Sequence, residues 1–91
     1  MADGRALTSM FYIYAIYNQK HDKIYIGQTK DLDTRIEAHR NKTFNNSYTS
    51  RFDGEWKLIY KESVSTRHEA LLREKQLKTY RGREFVKSFI P

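Results

Sequence analysis

Glu74 is a carboxylate among apolar neighbours. It lies three and four residues from Leu71, Ala70 and Leu77, so on a helix it falls on the inner side with them. Burying an unpaired carboxylate costs roughly several kcal/mol or forces it to protonate, so a metal ion or a cationic partner is expected beside it. A salt bridge to Lys78 or Arg81 on the same helix would meet that need equally well. A lone inward carboxylate suits Mg²⁺, which keeps several waters and takes one or two protein carboxylates plus phosphate oxygens. Two other groups could do chemistry. Tyr12 and Tyr14 fall on one face of a strand, and Tyr25 and Gly27 on one face of another, which would gather hydroxyls beside an open glycine. Arg35 and His39 are one helical turn apart, a spacing that lets a cation and an imidazole work together.

Other chemistries are excluded by what is missing. His21, His39 and His68 lack zinc-ligand spacing and there is no cysteine to complete a set. Neither a G-x-S-x-G elbow nor a Walker-type phosphate loop is present.

These side chains need elements to hold them. Phe11 to Tyr17 is rich in β-branched and aromatic residues, breaks at the polar stretch Asn18 to Lys23 and resumes at Ile24-Tyr25-Ile26-Gly27, a β-hairpin. Asp31 can cap a helix from Leu32 to about Arg40, buried through Leu32 and Ile36. Asn41 to Gly54 reads as a long polar surface loop, although it carries Phe44, Tyr48 and Phe52. Trp56, Leu58 and Tyr60 alternate with Lys57, Ile59 and Lys61, giving a third strand with one apolar face. Thr66-Arg67-His68-Glu69 is a capping box that opens a helix running from Arg67 to about Arg81, and Gly82 ends it. Phe85, Val86, Phe89 and Ile90 then mark a last short helix. The expected class is α+β, a small three-stranded antiparallel sheet flanked by helices in the order β-β-α-β-α-α.

Composition sets the frame. At 91 residues the chain supports one core and one domain, expected over residues 11–91, with residues 1–10 a loose tail in which Met10 is an alternative start. No apolar run reaches the roughly 20 residues needed to span a bilayer, and the opening lacks a signal-peptide core. Without cysteine the default is a cytoplasmic protein. Seventeen Lys and Arg against eleven Asp and Glu leave a formal charge of +6, which favours polyanions such as nucleic acid.

Taken together, Tyr12-Ile13-Tyr14, Tyr25-Ile26-Gly27-Gln28-Thr29, Asp31-Leu32, Arg35, His39 and Ala70-Leu71-Leu72-Arg73-Glu74 resemble the GIY-YIG nuclease superfamily over nearly the whole chain after Met10. The closest likeness is to short stand-alone bacterial members, similar to the nuclease module of the excision-repair C subunit. The resemblance implies a metal-dependent endonuclease acting on DNA, with RNA as an alternative substrate. It also implies catalytic roles for Tyr14, Tyr25, Arg35, His39 and Glu74, with Glu74 the ligand of a single Mg²⁺ or Mn²⁺. Gly27 matches the glycine that admits a phosphate or backbone. Lys42, Arg51, Lys78 and Arg81 are expected backbone contacts. No base-reading element is identifiable, so shape is the expected basis of selectivity. Two departures stand out: Tyr12 occupies the first-motif glycine position, and no asparagine occurs beyond Asn46, where many members carry one after the glutamate helix. The main rival is a non-catalytic nucleic-acid-binding module that keeps the fold, and a protein-interaction domain is a third reading.

Overall fold

The central strand is apolar on both sides because it is covered on both sides. In the computed structural model, which describes residues 10–40 and 48–91, β1 (Phe11–Asn18) lies between β2 (Lys23–Thr29) and β3 (Trp56–Val64). Both neighbours run antiparallel to it. Ile13 and Ala15 face one way into a cluster with Ile24, Ile26, Ala70, Leu77 and Val86. Tyr14 and Ile16 face the other way, against Ile36 and Trp56. An uninterrupted apolar run is what such a strand requires.

Helix α1 (Leu32–Arg40) covers the Tyr14 face, while α2 (Arg67–Leu77) and α3 (Tyr80–Lys87) cover the Ile13 face. The element order and class are those expected. Asp31 does cap α1, accepting from the Thr34 N–H at 3.2 Å and the Thr34 hydroxyl at 2.9 Å. The capping box of α2 is formed in full by Thr66 and Glu69.

Three local expectations are corrected. The period-2 pattern of β3 breaks at a bulge: Ala15 pairs with Tyr60 but Ile16 with Leu58, so Ile59 is the extra residue. Trp56 therefore packs on the α1 face while Ile59 and Tyr60 both pack on the α2 face, and the three apolar residues do not share one side. Second, α2 stops at Leu77, because Thr79 begins a new helix by accepting from the Gly82 N–H at 3.1 Å. Gly82 is then a contact residue inside α3, where a Cβ would strike the Gln76 carbonyl oxygen and come within 2.5 Å of the Leu77 Cα. Third, Leu71 is exposed, so only Ala70 and Leu77 form the buried stripe of α2. The expected tail before Met10, Lys42 and Phe44 lie outside the described residues.

The close approach at Gly82 carries a prediction. Gly82→Ala should improve intrinsic helix propensity yet lower stability by roughly 1–3 kcal/mol, because backbone atoms must move apart to admit one methyl group. Urea unfolding of the pair of proteins measures this; a neutral or stabilising result would mean that the α2–α3 contact is looser than described.

Candidate active site

The segment after α1 turns back over the sheet and is fastened to the hairpin. Asn18, fully buried, donates from Nδ2 to the Asp53 carbonyl at 2.9 Å and accepts from the His21 N–H at 3.1 Å. Asp53 also binds Lys20 and His21, which hold its carboxyl down at about 2. Gly54 follows at φ 99°, a backbone state that suits a residue without Cβ. This clamp fixes a short 3₁₀ turn, Thr49–Arg51, over the Tyr14 face.

There Tyr14, His39 and Thr49 form a buried chain. The Tyr14 hydroxyl is 2.8 Å from His39 Nε2, and His39 Nδ1 is 2.9 Å from the Thr49 hydroxyl. In the tautomer with Nδ1–H donating to Thr49, Nε2 accepts the Tyr14 proton. Tyr25 is half-buried beside them, its ring centroid 5.1 Å from His39 and 6.2 Å from Tyr14. Gly27 makes the arrangement possible, since it pairs with Tyr14 across the strands and a Cβ there would lie 2.8 Å from the Tyr14 hydroxyl oxygen. The space at Gly27 is taken by the tyrosine itself, so the missing Cβ makes room for Tyr14.

The electrostatics follow from burial. Desolvation pushes the Tyr14 phenol well above its ordinary value; Tyr25 and Glu74 push the same way, and Arg35 pulls against them. Arg35 thus favours the phenolate, but burial outweighs it. Burial, then the Arg35 charge, lowers His39 to about 4, so its ring is neutral at pH 7 and its Nε2 serves as the acceptor of the Tyr14 hydroxyl.

The His39 shift makes stability pH-dependent. The unfolded chain has the ordinary value of 6.5, so between pH 6.5 and about 4 it binds a proton that the folded chain refuses. Stability from this group is therefore full above pH 6.5 and declines as pH falls toward 4, by on the order of 3 kcal/mol. Asp53 titrates below that window. Urea midpoints at pH 7 and pH 4 should show the loss in the natural chain and a flatter profile in His39→Gln; equal slopes would assign the pH dependence elsewhere.

Glu74 reaches the cluster from the opposite layer. Its charge acts on the Tyr14 phenol, while its neighbour Arg73 bonds Glu62 on β3 at 3.0 Å. Glu74 is 19% exposed and paired with Lys78 Nζ at 2.8 Å, so the same-helix salt bridge weighed from the sequence is present. An i,i+4 pair of this kind is worth only about 0.3–0.5 kcal/mol, too little to hold the carboxylate against a divalent cation. Among the described residues no three His, Asp or Glu side chains converge on a metal site. A divalent ion at Glu74 would have this one carboxylate as its protein ligand, with water and phosphate oxygens completing its shell, and would displace Lys78.

The structure brings Tyr14, Tyr25 and His39 into contact and sets Arg35 and Glu74 within electrostatic reach of Tyr14. Lys78 lines a cleft with Tyr25, joined there by Arg83, while Arg51 and Arg81 are exposed elsewhere on the surface. Sequence reasoning passed over Thr49, which is 2% exposed, and Tyr48, whose ring stacks on Tyr25. The signal available was Tyr48 and Phe52 at helical spacing within an otherwise polar loop.

This fold and site define a nuclease class: residues 10–85 match the GIY-YIG catalytic domain, and the chain belongs to that family. GIY-YIG domains form a nuclease superfamily whose members generally use a divalent metal and act on nucleic acid. Within it, the chain is similar to a UPF0213 protein of Staphylococcus saprophyticus, 36% identical over 76 residues that cover 84% of this chain and 89% of the relative. UPF0213 proteins of Staphylococcus aureus are 39% identical over 57 residues, covering 63% of this chain and 67% of theirs. The solution structure of a UPF0213 protein from Bacillus halodurans superposes with a TM-score of 0.52 at 25% identity, covering 87% of this chain and 83% of that one. No helix among the described residues is long and apolar enough to cross a membrane.

Proposed function

We propose that this protein is a cytoplasmic, metal-dependent endonuclease that hydrolyses DNA phosphodiester bonds, selecting substrates by shape more than by sequence. The observation that carries this is the Tyr14–His39–Thr49 chain lying within reach of the Arg35 and Glu74 charges. Glu74 would hold one Mg²⁺ or Mn²⁺, which when bound supplies Lewis-acid stabilisation to the phosphate and the leaving oxygen.

The chain's own groups do the rest. The Arg35 guanidinium offsets charge on the phosphoryl oxygens, where its planar fork matches phosphate geometry. An attacking water gives its proton to the Tyr14 oxygen as the Tyr14 proton passes to His39 Nε2, so no free phenolate has to exist in the buried site. This relay accommodates the raised Tyr14 value. Thr49 holds the imidazole through Nδ1 and keeps Nε2 aimed at the phenol. Tyr25 positions water or phosphate through its hydroxyl. The water oxygen bonds to phosphorus, the bond to the 3′ oxygen breaks, and that oxygen takes a proton from solvent. Lys78, Arg51, Arg81 and Lys42 are proposed contacts to the backbone beyond the scissile phosphate.

A second reading, a nucleic-acid-binding module without turnover, is favoured by the Glu74–Lys78 ion pair. Incubation of the pure protein with branched, single-stranded and duplex DNA in Mg²⁺, in Mn²⁺ and in chelator separates the two. Nicks that need the metal support the enzyme, and salt-sensitive binding without nicks supports the module.

A further inference from the structure

The outer edge of β2 is the floor of a groove with two unlike walls. Among the described residues β2 is the outermost strand on its side of the sheet, so alternate backbone groups along it point outward. A cleft of about 240 Å³ lies against Tyr25, Tyr48, Lys78 and Arg83. A second of about 280 Å³ shares Ile24, Tyr48 and Arg83 with it and extends the groove to Lys23 and Lys87. One wall is aromatic. The Tyr48 ring is nearly parallel to Tyr25, 22° between planes and 6.3 Å between centroids, and 39% of Tyr48 is exposed. The other wall is cationic, built from Lys78 at the end of α2 and from Arg83 and Lys87 on α3; the Arg83 Nε–H donates to the Lys78 carbonyl at 3.2 Å and so fixes their spacing.

The acidic groups nearby offset part of this charge, three carboxylates against the four cations Lys23, Lys78, Arg83 and Lys87. Asp22 accepts from the Tyr17 hydroxyl at 3.0 Å, Glu84 is 3.7 Å from Lys87, and Glu74 is bonded to Lys78 at the inner end of the groove. A polymer that presents a negative charge and a flat ring at each repeat matches one wall with each feature. A peptide added to the strand edge would use the backbone groups but would leave the cations and the stacked tyrosines without a role.

The geometry points to this groove as the binding track for a single-stranded stretch of nucleic acid flanking the cleaved bond, with its phosphates along Lys78, Arg83 and Lys87 and one base stacked on Tyr48. The strand must be unpaired there, because a base within a duplex has no free face to offer the ring. This deepens the nuclease reading and rests on it for the link to cleavage, but it is testable without turnover.

The test is fluorescence anisotropy of the full chain in chelator with short mixed-sequence oligonucleotides, single-stranded DNA, single-stranded RNA and duplex DNA. Tyr48→Leu should weaken single-strand binding at least about fivefold and leave duplex binding unchanged, whereas Tyr48→Phe, which keeps the ring, should bind like the natural chain. Arg83→Gln with Lys87→Gln should lower the salt dependence of single-strand binding by about 0.7 per lost contact in the log–log slope. The tighter of the DNA and RNA arms identifies the sugar, and either one supports the track. Unchanged single-strand binding in a folded Tyr48→Leu protein would overturn it, as would an equal loss on duplex or displacement of the oligonucleotide by poly-glutamate at matched charge. Ring-dependent binding without metal-dependent nicks would sink the nuclease reading alone, and nicks with ring-independent binding would sink the groove alone.

Discussion

Replacing Glu74 with Ala is expected to lower metal-dependent cleavage by roughly a thousandfold or more, since Lewis-acid stabilisation of the phosphoryl charge is worth several kcal/mol. Among the described residues, no group of three His, Asp or Glu forms that could hold an ion by itself. The fold should tolerate the change, because the lost Glu74–Lys78 pair is worth only about 0.3–0.5 kcal/mol. Single-turnover cleavage across a Mg²⁺ titration is the measurement, with Lys78→Gln as its companion. If the ion pair competes with metal, Lys78→Gln shifts the titration to lower Mg²⁺ while Glu74→Ala gives no saturable activity at any concentration. A Glu74→Ala protein that cleaves like the natural chain would remove the metal from the mechanism.

Tyr14→Phe is expected to cost roughly 10²–10⁴ in the cleavage rate, the usual contribution of a positioned proton acceptor. The substitution keeps the ring packed against Ile16, Ile36 and Trp56 and removes only the hydroxyl that meets His39. It also leaves His39 Nε2 buried without that partner, which should destabilise the fold by about 1–3 kcal/mol. The two effects are separable, because oligonucleotide affinity in chelator should stay the same while the rate collapses. Full-rate cleavage by Tyr14→Phe would reject the relay, whatever the change in stability.

The parts of this molecule that could be read in advance are those set by neighbours in sequence. The Asp31 cap, the Thr66–Glu69 capping box and the Phe11–Thr29 hairpin each depend on residues within a turn or a tight reversal of one another. The motif tyrosines, Arg35, His39 and Glu74 were legible as a set because they sit on those elements. What escaped depends on partners distant in the chain. The Ile59 bulge is decided by how β3 registers against β1, so alternation in β3 alone could not reveal that Tyr60 leaves the Trp56 face. Gly82 reads as a helix stop by residue type, yet its role comes from the end of α2 lying against it. Thr49 and Tyr48 belong to a segment whose position is set by Asn18 and Asp53, 35 residues apart. Burial likewise decides the sign at Tyr14, where the Arg35 charge favours the phenolate and is outweighed.

The split of the interior by the sheet has a practical side. Seven buried residues hold the α2 and α3 side, whereas Tyr14, Ile16, Ile36 and Trp56 hold the other. The chain has one tryptophan, and it lies in the smaller cluster with the Phe52 ring at its edge, 6.4 Å between centroids. Indole emission therefore watches the Tyr14 side of the sheet alone, and an opening confined to that side would be visible optically before the helical layer behind the sheet lets go.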